Sequence, residues 1–302
     1  MVPFFQAEKK RMKPEIISDY RSQIGEGPIW HPMEKRIYWV DIPEGKVLRY
    51  NEEMKKHEIC YEGDEEVHGL TIQKDGSLLL FMQRGAVANW KDGRITFIID
   101  EIPDLRGIGL NDMIADPVGR VFWGSIPSNL FSGERLCGLY RIDTDGSTEM
   151  VADDIGVSNG LGFSPDGRIL YYTDTFMHRI YMFDYDQKTG TLKNRRVFIE
   201  INEEDGDPDG MTVDKEGYVW TAQWGSHAVV RYTPQGVEER RIRFPAKKVS
   251  SVCFGGEGYR DLYVTSANAG PGGEDDNEAA GALFRIETSI RGVPEFYSSI
   301  GL

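Results

Sequence analysis

Short apolar runs alternate with polar turn clusters along this chain, and the alternation itself repeats. Three segments superpose without gaps: Asn159-Gly-Leu-Gly-Phe-Ser-Pro-Asp-Gly167, Asp209-Gly-Met-Thr-Val-Asp-Lys-Glu-Gly217 and His68-Gly-Leu-Thr-Ile-Gln-Lys-Asp-Gly76. The same frame fits Glu26, Asn111 and Ser250. Six polar residues thus each precede a strand-like run, and eight positions later comes Glu34, Gly76, Gly119, Gly167, Gly217 or Gly258. A period of roughly 40–50 residues with several short strands in each is the mark of a β-propeller blade. The pattern predicts an all-β, six-bladed propeller with four-stranded blades. Because blades are radial, equivalent positions converge on one axis, and the six polar residues should ring one mouth of the central channel.

Blade four shows the strand pattern most plainly, at 160–164, 169–173, 179–185 and 195–200, with Asp166-Gly167 as the tight turn that glycine permits. In blade one, Ile37-Tyr-Trp-Val40 is apolar throughout, as a strand packed between neighbouring blades requires. A circular array must close or leave an unpaired edge. The segment Glu15–Tyr20 is expected to close it as the outer strand of the last blade. Residues 1–13 read as an N-terminal extension and 14–302 as one propeller domain. The insertion Pro271-Gly-Gly-Glu-Asp-Asp-Asn277 reads as a flexible loop near the channel mouth.

The bulk properties narrow the partners. With 35 basic against 49 acidic residues the net charge is −14, which argues against a nucleic-acid partner. No apolar stretch approaches the ~20 residues that cross a membrane, and the N-terminus shows no signal-peptide core. Cys60, Cys137 and Cys253 are odd in number and widely spaced, matching neither a disulfide framework nor zinc-ligand spacing. Reduced thiols in a cytoplasmic protein are the expectation.

The ring carries the chemistry. Glu26 and Asp209 offer carboxylate oxygens, and Asn111 and Asn159 amide oxygens. Hard oxygen donors suit Ca²⁺, with Mg²⁺, Mn²⁺ or Zn²⁺ as other choices, and two carboxylates balance a divalent charge. Polar residues that merely cap strand ends and bind channel water are the rival reading; it explains one residue more readily than a matched set in four blades. His68 is a possible neighbour of the metal or substrate. Trp30, Trp39, Trp123 and Trp220 read as inter-blade core, whereas Trp224 and His227 should reach the pocket.

These residues amount to a family likeness. Gly25-Glu26-Gly-Pro-Ile-Trp30, Asn111-Asp112 with Asp116-Pro-Val-Gly-Arg120, Ser158-Asn159-Gly-Leu161 with Ser164-Pro-Asp-Gly167, and Pro208-Asp209-Gly-Met211 resemble the gluconolactonase/regucalcin (senescence marker protein) family. The resemblance spans nearly the whole chain. It implies a six-bladed propeller with one divalent cation, hydrolysis of a small-molecule sugar lactone, and metal ligation by Glu26, Asn159 and Asp209, with Asn111 beside the metal or touching substrate. Two positions depart from the family. Its sugar-contacting Arg is replaced by Gly109, a space that Arg106 could fill, and its acidic contact in the blade-three loop falls near Asn129.

The expected reaction is metal-assisted ester hydrolysis with Asp209 as general base, direct attack by Asp209 being the minor alternative. No Gly-x-Ser-x-Gly elbow is present for a serine nucleophile. Two other functions compete: a phosphotriesterase at the same metal, and a non-catalytic calcium-binding propeller.

Overall fold

In a computed structural model, described here for residues 12–102, 108–127, 137–275 and 277–302, six four-stranded antiparallel sheets follow one another around an axis. Blade one comprises Gly25–His31, Arg36–Asp41, Lys46–Asn51 and Lys56–Glu62, and blade two Val67–Ile72, Leu78–Met82, Val87–Lys91 and Arg94–Ile99. Blade three comprises Ile108–Ala115, Val121–Pro127, Cys137–Ile142 and Thr148–Ile155, and blade four Ser158–Phe163, Ile169–Asp174, Arg179–Asp186 and Thr191–Glu200. Blade five holds Asp207–Val213, Val219–Trp224, Ala228–Tyr232 and Glu238–Arg243. Blade six holds Lys248–Gly255, Asp261–Ala267 and Phe284–Glu287, and takes its outer strand from the N-terminal end of the chain. That strand is Glu15–Ile16, with Glu15 paired to Arg285 and Ile16 to Phe284. It is shorter than the expected Glu15–Tyr20, because the chain turns inward after Ile17 to reach the start of blade one.

Burial grades outward within each blade, and composition explains the gradient. The inner strands Val67–Ile72, Ser158–Phe163 and Lys248–Gly255 are buried along their whole length, whereas the outer strand Thr148–Ile155 is largely exposed. Neighbouring blades share apolar layers. Trp220 and Ala222 of blade five, for example, pack with Val252 and Phe254 of blade six. Trp39, Trp123 and Trp220 are fully buried and Trp30 nearly so, consistent with a core role. All three cysteines are free thiols, two of them buried. Among the described residues the only helical segments are short 3₁₀ turns, and no helix is long and apolar enough to cross a membrane.

The end of the chain also positions the channel. After blade six, residues 291–300 run beneath the inner strands at their turn ends. Gly292 bridges to Asp214, Ser298 to Gln73, and the Ser299 amide donates to the Gly119 carbonyl at 2.8 Å. Phe296 packs edge-on against Phe163 with ring centroids 6.0 Å apart. This segment covers the lower end of the channel and brings Glu295 under it, beside Asp112, Ser251 and Met211.

Candidate metal and active site at the channel mouth

Every inner strand breaks its pairing register at or next to its polar frame residue. The breaks fall between Glu26 and Ile29, Val67 and Gly69, Asn111 and Met113, Ser158 and Leu161, Pro208 and Met211, and Val249 and Val252. A bulge bends its strand and re-aims the side chains at the break, so a residue there can face the axis instead of a blade face. Glycine after the frame residue permits the approach. Gly27 holds φ +54°, and a Cβ on Gly160 would lie 2.6 Å from the Asp209 carbonyl oxygen.

Five of the six frame residues, Glu26, His68, Asn111, Asn159 and Asp209, line one cleft of about 800 Å³. Ser250 does not belong to it. Its hydroxyl donates to the Gly25 carbonyl at 2.5 Å and lies 3.0 Å from Thr265 Oγ1, so it ties blade six to blade one. The expected ring of six is therefore a functional arc of five plus one structural hydroxyl. Trp224 lines the cleft as expected and donates its indole N–H to the Pro271 carbonyl at 3.2 Å. His227 lies elsewhere, in the turn after Trp224, and does not line the cleft. The Pro271 insertion is bonded in place, with the Lys248 ammonium donating to the Ala269 and Gly273 carbonyls. Arg106 and Asn129 lie outside the described residues.

A chain of hydrogen bonds crosses blades three, four and five. Asn111 Nδ2 donates to Asn159 Oδ1 at 2.6 Å and to the Ser158 carbonyl at 2.7 Å. Asn159 Nδ2 donates to Thr175 Oγ1 at 2.8 Å, and the Thr175 hydroxyl donates to the Pro208 carbonyl at 2.7 Å. Because the Thr175 proton is committed to Pro208, its oxygen must accept from Asn159. That orients the Asn159 amide oxygen toward Asn111 and the axis. Thr175 was invisible to the repeat frame, since it acts from the turn after a second strand.

The electrostatics centre on three carboxylates. Glu26 and Asp209 are 5 and 6 % exposed. Burial pushes the Glu26 carboxyl well above its ordinary range, the charges of Asp209 and Asp112 push it further, and the Gly27 amide and Ser251 hydroxyl oppose the shift. Asp209 rises for the same first reason, with Asp112 and Asp207 adding to it and the Gly210 amide opposing. Asp112 follows Asn111 directly, and no repeat position assigns it a role. It lies at the blade-three bulge, faces the channel below the mouth, and is pushed up to about 7 by desolvation.

Three enclosed like charges of this kind suit a divalent cation, which would supply the missing countercharge. Among the described residues no three Asp, Glu, His or Cys side chains form a preformed cage. The donor set at the mouth is instead mixed, with two carboxylates and two amides from four blades, and it fits a hard cation better than a soft one.

Residues 24–268 match the family model for the SMP-30/gluconolactonase/LRE-like region. Pentonolactonase XacC of Haloferax volcanii is 44 % identical over 294 residues, covering 95 % of this chain and 98 % of that one. Among solved structures, a luciferin-regenerating enzyme superposes with a TM-score of 0.89 at 27 % identity, over 96 % of this chain and 100 % of its own. A calcium-binding regucalcin from Agrobacterium tumefaciens superposes with a TM-score of 0.87 at 25 % identity, over 95 % and 97 %. This chain belongs to the SMP-30/gluconolactonase/LRE-like family.

Proposed function

We propose that this protein is a metal-dependent lactonase that opens the ring ester of a sugar lactone to the aldonic acid. The observation that carries the reading is the meeting, in one cleft, of two buried carboxylates that face no Lys or Arg among the described residues with two oriented amides. The likeness to a pentonolactonase over nearly the whole chain supports the substrate class. The likeness to a calcium-binding regucalcin supports Ca²⁺. A scaffold that bound no cation would have no use for enclosed, mutually repelling carboxylates at the base of a large cleft, and the pentonolactonase likeness favours catalysis over calcium binding alone.

Glu26, Asn159 and Asp209 would hold the cation, with Asn111 as a further ligand or joined to it through water. When bound, the cation would polarise the lactone carbonyl and stabilise the negative charge that develops on its oxygen. Asp209 accepts a proton from the attacking water. The water oxygen bonds to the carbonyl carbon, the ring C–O bond breaks, and Asp209 returns its proton to the released alkoxide oxygen as the acid forms. Thr175 and Asn111 hold the Asn159 amide in one orientation throughout. The apolar wall of Ile24, Ile42, Phe176 and Trp224 excludes water from the face of the sugar ring.

A pH-indicator assay of aldonolactones with metal-stripped protein, then with Ca²⁺, Mg²⁺, Mn²⁺ or Zn²⁺ restored, tests this. Turnover should appear only on restoration. Absence of lactone turnover with every metal, or hydrolysis of an aryl phosphotriester in preference to all lactones, would overturn it.

A further inference from the structure

Beyond the ring, two histidine–carboxylate pairs face the same cleft. In blade two, His68 Nε2 lies 3.3 Å from Glu66 Oε2. His68 is only 5 % exposed, and neither ring nitrogen has an aligned hydrogen-bond partner among the described residues. Between blades four and five, His178 Nε2 lies 3.6 Å from Asp207 Oδ1, while its buried Nδ1 is without a partner. All four residues line the cleft. Blades two and five are three positions apart in a ring of six, so the pairs stand on opposite walls with the candidate metal ligands between them.

Buried polar atoms are ordinarily paired, and an unpaired one in the wall of a cleft is satisfied when a small turn of its ring brings it to an entering ligand. A sugar hydroxyl both donates and accepts. A carboxylate accepts and an imidazole N–H donates, so each pair can take two neighbouring hydroxyls of one ring. The charge of the cleft sets a second condition. Glu26, Glu66, Glu203, Asp207 and Asp209 line it, and no Lys or Arg does among the described residues. Lys248, 5.4 Å from the Trp224 ring, is already bonded to two backbone carbonyls. With Glu26 and Asp209 committed to the cation, Glu66, Glu203 and Asp207 still leave the described walls acidic, which disfavours a phosphorylated or carboxylated ligand there.

We infer that His68–Glu66 and His178–Asp207 are the specificity groups of this site, gripping the hydroxyls of a neutral polyhydroxy-lactone from opposite walls. This rests on the lactonase reading and adds to it recognition groups on two opposite walls of the cleft.

The test compares xylono-γ-lactone, γ-butyrolactone, which has the ester but no hydroxyls, and a phosphogluconolactone. In metal-replete wild type, kcat/KM should be highest for the first and lowest for the last. His68→Leu and His178→Leu should each lower kcat/KM for xylono-γ-lactone about tenfold or more beyond any loss on γ-butyrolactone. His68→Gln, which keeps a donor and an acceptor, should recover part of that loss. Equal losses on the two neutral lactones would overturn the assignment, as would turnover of the phosphorylated lactone at the neutral rate. Calorimetric binding of anhydroxylitol, a ring without the ester, separates this inference from the lactonase reading. Binding to wild type that the leucine variants lose supports the hydroxyl subsites even if no lactone is hydrolysed. Equal binding by wild type and variants, or none by wild type, overturns them.

Discussion

The two ends of the inner strands carry buried carboxylates with opposite fates. At the turn end, Asp116 and Asp214 are 0 % exposed. Asp116 takes the Arg120 guanidinium at 2.5 Å, the Tyr185 hydroxyl at 2.7 Å and three backbone amides. Asp214 takes Arg231 through Nε and Nη2 at 2.9 and 2.6 Å, and the Trp220 indole N–H at 2.9 Å. At the mouth, Glu26 and Asp209 are nearly as buried, yet each is raised first by that burial and then by its neighbours' negative charge, with only amides and a hydroxyl opposing. Burial alone therefore does not mark a functional carboxylate. What marks it is burial with no Lys or Arg beside it among the described residues, which costs stability unless a ligand brings the charge.

The sharpest way to break this comparison is substitution at the mouth. Glu26→Gln or Asp209→Asn should abolish lactone turnover and weaken cation binding, measured by calorimetry. The metal-free variant should be no less stable than the metal-free parent, since a repelling charge is gone. Retained metal affinity in both variants would refute their place as ligands.

Substitution at the turn end should do the reverse. Asp214→Asn leaves Arg231 buried beside a neutral group and should lower stability by about 3 kcal/mol in denaturant melts, with or without metal. A metal-dependent loss there would erase the distinction between the two ends.

Glu295 extends the contrast to the channel floor. Burial alone pushes its carboxyl up to about 7. A carboxyl whose folded pKa exceeds its unfolded value binds more protons when folded. Its contribution is full below the unfolded pKa, near 4, and is lost as pH rises through about 7. Wild-type stability should therefore carry a falling component between those limits that Glu295→Gln removes, as read from melting temperature against pH. An unchanged pH profile would show Glu295 to be paired or solvated.

The smallest expected effect is at Arg106, outside the described residues. Arg106→Ala should lower kcat/KM on the best lactone by about tenfold, on the order of 1.4 kcal/mol, with metal affinity unchanged. Unchanged kinetics would leave sugar recognition to the cleft walls.

Much of this was readable in advance because it is local. Strand period, Asp-Gly turns and an eight-residue frame are short-range properties, so the blades and the frame residues could be counted along the chain. The outer strands Lys56–Glu62 and Thr148–Ile155 were not anticipated, because strands exposed on most of their surface need no apolar alternation. The family likeness named Glu26, Asn159 and Asp209 together, and the structure places them in one cleft.

By itself, then, the sequence determined the repeat, the propeller and the chemical types available at the axis, since each depends on residues close together in the chain. Tertiary structure decided which of them meet. Bulges turned five frame residues into the cleft while Ser250 bonded to blade one, and the same device brought Asp112 below the mouth. His178 faces Asp207 across 29 positions, and Glu295 enters the channel on a segment that follows the last blade strand. Those encounters arise from ring closure and the path of the tail, which bring together residues that no local pattern links.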